Sequence, residues 1–154
     1  MTPIDWAMRP LRKYADFSGR APRAEFWWFY LFYLIGYIII GIIDSLIGTR
    51  IPTLLYVVAM FLPYLGVGVR RLHDTGRSGW WVLLPLIPAV IAGILAGPAI
   101  LSGSLAAAGT AGIFGLLAVA AGIAVLVFFV LPGTAGANRF GPNPYEGGEQ
   151  LRTV

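Results

Sequence analysis

Residues 78–138 read SGWWVLLPLIPAVIAGILAGPAILSGSLAAAGTAGIFGLLAVAAGIAVLVFFVLPGTAGAN, 61 consecutive positions without a charged side chain between Arg77 and Arg139. As helix the stretch would be about 90 Å long, three times the hydrocarbon core of a bilayer. One span cannot account for it, but two can. The better apolar segments are Trp80–Leu101 and Ala111–Leu131, linked by the small, polar residues 102–110, SGSLAAAGT. Pro85, Pro88 and Pro98 make the first of these the least regular. A re-entrant or broken helix is the alternative there, provided protein covers the freed carbonyls.

Working towards the N-terminus, Ile51–Val69 is a second uncharged run, with Pro63, Gly66 and Gly68 predicting a bend near its end. Residues 26–43, FWWFYLFYLIGYIIIGII, form another. Eighteen residues rise about 27 Å, enough to cross. Trp27 and Trp28 begin this run, and Trp80 and Trp81 begin the third; all four suit an interfacial aromatic belt. The connection at residues 44–50 is short, so the spans it joins are antiparallel neighbours. The expected fold is therefore an all-α integral membrane protein, about four transmembrane helices in an antiparallel bundle. Spans are placed at about 26–43, 51–69, 80–101 and 111–131.

Composition agrees. Charged residues are 12% and apolar ones 58%, with mean hydropathy +0.78, where ordinary globular domains carry about 25% charge. Nine Phe, seven Tyr and five Trp exclude disorder. The absence of cysteine excludes disulfides and thiolate chemistry, and one histidine excludes a multi-histidine metal site. The net charge of +4 lies in clusters beside the apolar runs, which points to membrane topology and not to nucleic acid. No cleavage site of the A-x-A kind follows the first run, so it is expected to stay in the protein.

Residues 1–25 are a basic N-terminal segment. Ile4, Met8, Leu11 and Tyr14 or Ala15 recur at helical spacing beside Arg9, Arg12 and Lys13, which suits a short helix in the interface plane. Pro3 and Pro10 leave an irregular segment as the alternative. Residues 26–131 would be the bundle and 132–154 a Gly/Pro-rich cytoplasmic tail. Basic residues near span ends fix orientation. With an inside N-terminus, the inside holds ten: Arg9, Arg12, Lys13, Arg20, Arg23, Arg70, Arg71, Arg77, Arg139 and Arg152. The outside holds only Arg50. Both termini are expected in the cytoplasm.

Chemistry concentrates in residues 70–81, RRLHDTGRSGWW, which hold the single histidine. Glu25 falls at the same membrane depth as Arg70 and Arg71. It either pairs with one of them, or each reaches the headgroups separately. His73 and Asp74 are sequence neighbours, which rarely orient one another as a catalytic dyad, and Ser78 is not in a G-x-S-x-G turn. Local capping and turn formation fit these residues better. Arg70, Arg71 and Arg77 would face anionic headgroups, helped by backbone donors near Gly76 and Gly79; the alternative is that they only fix topology. No H-E-x-x-H, Walker or G-x-G-x-x-G pattern occurs, and no cofactor or metal is expected. No ionisable residue lies within the four apolar cores, which argues against an ion pump. Ala111/Gly115, Ala118/Gly122 and Gly93/Gly97 are small-residue pairs suited to close helix packing, within one chain or between two.

Three stretches carry a family resemblance: 17–28, FSGRAPRAEFWW; 70–81, RRLHDTGRSGWW; and 132–144, PGTAGANRFGPNP. In this order they resemble the DUF805 family over about residues 11–145. The resemblance implies a small bacterial inner-membrane protein of a family without an established biochemical function. It assigns motif positions to Arg20, Arg23, Glu25, Trp27, Trp28, Arg70, Arg71, His73, Asp74, Gly76, Arg77, Trp80 and Trp81, and to most of 133–144. None is implied to be catalytic. Relatives look as if one apolar stretch joins the second motif to the third. Here Ala- and Gly-rich sequence at about 92–122 is added, so either the family's stretch is a re-entrant hairpin or topology differs.

With both termini inside, the three motifs fall on one face. The expected polar cluster is Arg20, Glu25, Arg70, Arg71, His73, Asp74, Arg77, Asn138 and Arg139. Its excess of positive charge suggests anionic headgroups as neighbours. The expected function is a non-enzymatic structural protein, or one that contacts lipid, a second copy or another membrane protein. A small transporter or transporter accessory subunit is the alternative, and a lipid-headgroup enzyme the third reading.

Overall fold

The computed structural model describes residues 1–145; the rest of the expected tail, including Arg152, lies outside the described residues. Thr2 opens the chain with a reciprocal cap. Its hydroxyl accepts the Asp5 amide while the Asp5 carboxylate accepts the Thr2 amide, at 3.2 and 2.8 Å. Pro3 then takes a position whose amide would have no helical partner anyway. The result is α1, Pro3–Arg12, so the N-terminal segment is helical despite its prolines.

Four long apolar helices follow: α2 (Arg23–Ile47), α3 (Ile51–Asp74), α4 (Leu86–Ser102) and α5 (Leu105–Val130). A 3-10 turn, Gly79–Leu83, leads into α4, and together they make an apolar stretch of 24 residues. The four stretches hold 24 to 26 residues each, or about 36–39 Å, enough to cross a membrane.

The ends of these helices differ from the sequence expectation in two instructive places. The second span does not stop at Val69. α3 runs on through Pro63, Gly66 and Gly68 to Asp74, carrying Arg70, Arg71 and His73 inside the helix. Its glycines are points of close approach. A Cβ at Gly68 would touch the Phe129 ring at 3.7 Å, and one at Gly66 would touch the Asp16 carbonyl at 3.4 Å. The link expected over 102–110 shrinks to two residues. Gly103 at φ +62° ends α4, and the Ser104 hydroxyl accepts the Ala107 amide to start α5. The alanines that follow are strong helix formers, so they extend the helix.

Packing makes two hairpins, α2 with α3 and α4 with α5. Near the far end of the first, Tyr33 and Tyr56 stack at 5.5 Å and the Tyr56 hydroxyl donates to the Tyr33 carbonyl at 3.0 Å. Gly36 leaves room for that hydroxyl. The hairpins meet at one end. The buried core is Ala21, Phe26, Phe29, Val67, Leu72, Val125 and Phe129, with the Phe26 and Phe129 rings 4.3 Å apart. Elsewhere the apolar side chains point outward; Leu55, Ile94 and Leu116 are each more than 60% exposed. Lipid is as apolar as these side chains, so outward placement costs nothing. A Cβ added at Gly93, Gly97, Gly115 or Gly122 would meet nothing within 4 Å among the described residues.

Candidate functional site

The three motif stretches converge at the end where the hairpins meet. α3 ends there at Asp74, α2 begins there at Arg23, and α5 finishes there at Val130. A helix that ends leaves four carbonyls without partners. At the end of α5 an arginine meets two of the carbonyls there. Arg71 donates from Nε to the Phe129 carbonyl at 3.1 Å and from Nη2 to that of Leu131, closing the end of α5. Its Nη1 pairs with Asp74 one helical turn on.

Asp74 holds a second arginine. Arg20 Nε lies 2.9 Å from Asp74 Oδ1, while its Nη1 and Nη2 donate to the carbonyls of Gly136 and Thr134, each at 2.6 Å. One planar guanidinium thus joins all three motifs, a geometry lysine could not reproduce. Gly133 lies against the same carboxylate. A Cβ there would stand 2.6 Å from Asp74 Cγ. The Thr134 amide and hydroxyl donate to the Asp74 carbonyl at 2.8 and 3.2 Å, capping α3.

Glu25 is the second carboxylate. Arg70 Nη2 donates to it at 2.8 Å, and Arg9 of α1 approaches its other oxygen at 3.4 Å. Arg70 Nη1 donates to the Asp16 carbonyl, fixing the segment between α1 and α2. In that segment the Ser18 hydroxyl and amide both donate to the Asp16 carboxylate, at 2.5 and 3.0 Å. With a lesser pull from Lys13, they hold its carboxyl down at about 2.

Arg20, Glu25, Arg70, Arg71 and Asp74 are all at most 7% exposed. Burying charge this fully costs several kcal/mol per ion, roughly, unless each is paired and hydrogen-bonded. Four of the five direct every charged atom at a partner; only Arg70 Nε, buried, has none among the described residues.

His73 sits beside this centre. Its Nδ1 is 3.1 Å from the Gly19 carbonyl, which can only accept, so the proton is on Nδ1. The ring stacks on Phe140 at 3.9 Å and 4°, and Asn138 Nδ2 donates to the His73 carbonyl at 2.9 Å. Arg139 lies over the Phe140 ring at 4.6 Å and reaches the Gly76 carbonyl at 3.4 Å. Arg77 lies over Phe128 at 4.0 Å. Of the four tryptophans expected in an interfacial belt, Trp28, Trp80 and Trp81 are exposed, and Trp27 packs edge-on to Phe26 at 5.3 Å.

The structure brings Arg20, Arg71 and Asp74 into one ion-paired group and Glu25 and Arg70 into another, with Asn138 bonded to the His73 backbone and Arg139 to the Gly76 carbonyl. Their orientation corrects one expectation. Arg70 and Arg71 do not face headgroups; they are 1% and 0% exposed. The reason is the extra turn of α3, which carries them inward to Glu25 and Asp74. Arg139 is exposed and Arg77 half-buried, so only these two of the cluster's five arginines look outward. Sequence reasoning also missed Arg9, Thr134 and Phe140 as partners. The Arg71–Asp74 spacing of three on a helix was the readable signal for their pairing. Among the described residues no group of His, Asp and Glu side chains is arranged to hold a metal.

The chain is 34% identical over 147 residues to inner membrane protein YhaH of Escherichia coli (strain K12), covering 92% of this chain and 97% of that one. It is 35% identical over 143 residues to inner membrane protein YhaI of the same organism, covering 92% and 96%. No solved structure matches it. The family model described as "Protein of unknown function (DUF805)" matches residues 14–142. The arginine–carboxylate centre is thus built from residues inside that match, and this multi-pass protein of the bacterial inner membrane belongs to the DUF805 family.

Proposed function

We propose that the protein is non-enzymatic and that its motif face holds anionic phospholipid headgroups at the cytoplasmic side of the membrane. One observation carries the reading: the centre's charges are consumed by each other, while further cations stand outside it. Both Asp74 oxygens are held by arginines, both Glu25 oxygens are approached by arginines, and His73 Nδ1 is engaged. This arrangement suits a rigid clasp better than a catalytic centre, whose groups must be available to substrate. Around it Arg12, Arg23 and Arg139 are exposed, and Arg77 and Lys13 are half-buried. Each cation near an anionic surface contributes about 1 kcal/mol. The ten-to-one charge count supports a cytoplasmic position for this face. The cavity between the hairpins, about 540 Å³, is walled by Phe26, Trp27, Tyr30, Tyr64 and Phe129 among others. Such walls suit lipid tails and not the passage of a polar solute.

Native mass spectrometry of the purified protein, exchanged into equal phosphatidylglycerol and phosphatidylcholine, tests the reading. The wild type retains the anionic lipid preferentially, and Arg23→Gln with Arg139→Gln lowers that preference several-fold. Equal retention by the wild type overturns it. Orientation is tested by Ala106→Cys in a chain that has no other cysteine. An impermeant thiol reagent labels it in intact spheroplasts; labelling only after lysis reverses the assignment.

A further inference from the structure

At the opposite end of the first hairpin lies a carboxylate that the clasp does not use. Asp44 is in the last turn of α2 and only 3% exposed, yet neither of its carboxylate oxygens has a hydrogen-bond partner among the described residues. Thr53 Oγ1, just across the α2–α3 connection, is also buried without one. Asp44 lines a cleft of about 270 Å³ with Gly41, Ser45, Gly48, Thr49 and Arg50.

Position says what kind of ligand is at hand. Asp44 stands about 32 Å along α2 from Arg23, close to the thickness of a hydrocarbon core. It therefore falls at headgroup level on the face away from the clasp. A buried carboxylate beside hydrocarbon is costly unless a donor meets it. Arg50 shares the cleft but donates no hydrogen bond to Asp44. Its guanidinium also disfavours a bare metal cation. A ligand bearing both signs suits both residues. Gly48, at φ +77°, ends α2, and its amide closes on the Asp44 carbonyl, so the Asp44 carbonyl is satisfied and its side chain is not.

We propose that this cleft binds the headgroup of a zwitterionic phospholipid with a primary ammonium, Asp44 accepting from the ammonium and Arg50 donating to the phosphate. The volume suits a headgroup, with the acyl chains left in the bilayer along the exposed Ile42 and Ile43 of α2. This site is separate from the anionic-lipid face, and it stands or falls independently of it.

The test uses the full chain, purified and exchanged into equal phosphatidylethanolamine, phosphatidylcholine and phosphatidylglycerol, with retained lipids read by native mass spectrometry. The first two differ only in methylation of the nitrogen, which removes every N–H donor. The wild type retains phosphatidylethanolamine over phosphatidylcholine by about tenfold or more, the range of a hydrogen bond to a charged group. Asp44→Asn abolishes that preference and leaves phosphatidylglycerol retention unchanged, whereas Arg23→Gln with Arg139→Gln leaves the preference intact. Equal retention by the wild type, the outcome if Arg50 closes onto Asp44, overturns the proposal, as does an unchanged preference in Asp44→Asn. Displacement by soluble glycerophosphoethanolamine, but not by glycerophosphate, supports headgroup recognition; equal displacement by both overturns it. A carbon-13 label in the wild-type aspartates gives a reading that needs no folded variant. One carboxyl resonance moves on adding phosphatidylethanolamine and not phosphatidylcholine; no movement overturns the site.

Discussion

Replacing Asp74 with Asn exchanges one carboxylate oxygen for an amide nitrogen and should nearly dismantle the clasp. The side chain is fully buried, and the arginines on its two oxygens are 1% and 0% exposed. An amide offers one accepting oxygen where the carboxylate offered two, and it turns two N–H donors towards guanidinium groups that only donate. Arg20 and Arg71 would keep their carbonyl partners but lose the charge that offsets their desolvation. Removing one partner of a buried ion pair costs about 3–5 kcal/mol. The expected loss is of that size, roughly two to three and a half decades in the folding equilibrium. The assay is reversible unfolding in mixed detergent micelles, read by loss of helicity, for wild type and variant. Lys13→Gln is the internal control. Its pair with Asp16 is about 40% exposed on both sides, and losing it costs at most about 1 kcal/mol. If Asp74→Asn falls within about 1 kcal/mol of wild type, the buried triad is not what joins the motifs. Changing all three members to apolar side chains should recover part of the loss. Recovery stays incomplete, because the carbonyls of Phe129, Thr134 and Gly136 lose the arginines that donate to them, and that of Leu131 keeps only Arg23.

Gly133→Ala should destabilise by about 1–3 kcal/mol in the same assay, since the new methyl meets a carboxylate that two arginines hold in place. An unchanged midpoint would mean that Asp74 is free to move. Ser18→Ala should raise the Asp16 carboxyl from about 2 towards 3.8, as followed by carbon-13 NMR titration. Because the folded value is depressed, the associated stability is present above pH 3.8 and fades as pH falls through about 2; an unaltered titration in Ser18→Ala contradicts the assignment. Tyr56→Phe should cost less than about 1 kcal/mol, as hydrogen bonds between membrane helices do. A larger loss in the unfolding assay would show the Tyr33 stack depending on that hydroxyl.

Hydropathy made the four long helices readable because a bilayer demands long uncharged runs whatever the details of packing. The same rule hid the end of α3. Arg70, Arg71 and Asp74 end a hydropathy window, but a helix continues wherever its side chains find partners, and those partners come from residues 16, 20, 25, 129 and 131. Membrane depth alone allows Glu25 to pair with Arg70 or Arg71, or each to reach the headgroups separately. Depth could not choose between them, and the choice of Arg70 follows from rotation. Successive residues on a helix point about 100° apart, so Arg70 reaches α2 while Arg71 reaches the end of α5. The meeting of the three motifs followed from topology. The inward turn of their arginines did not, because a count of positive charges treats every arginine as one that faces the surface. Arg139 fits that picture, and Arg20 does not. Asp44 was passed over for a similar reason. It sits in a short connection in the sequence, and only burial distinguishes it from an ordinary loop carboxylate.

The joining of the two hairpins at one end has a mechanical consequence. Val125 and Phe129, close to the finish of α5, supply that helix's share of the common core, while Leu116 and Ile113 further back are open. The hairpins behave as two arms on a riveted pivot. Bilayers differ in thickness by a few ångströms, and a rigid bundle must deform its lipid surroundings or tilt as a whole to match. Arms fixed at one end can change the angle between them instead, with the strain falling mainly on soft apolar contacts. Compliance of this kind would let one chain hold its joined end together while the membrane around its far ends thins or thickens.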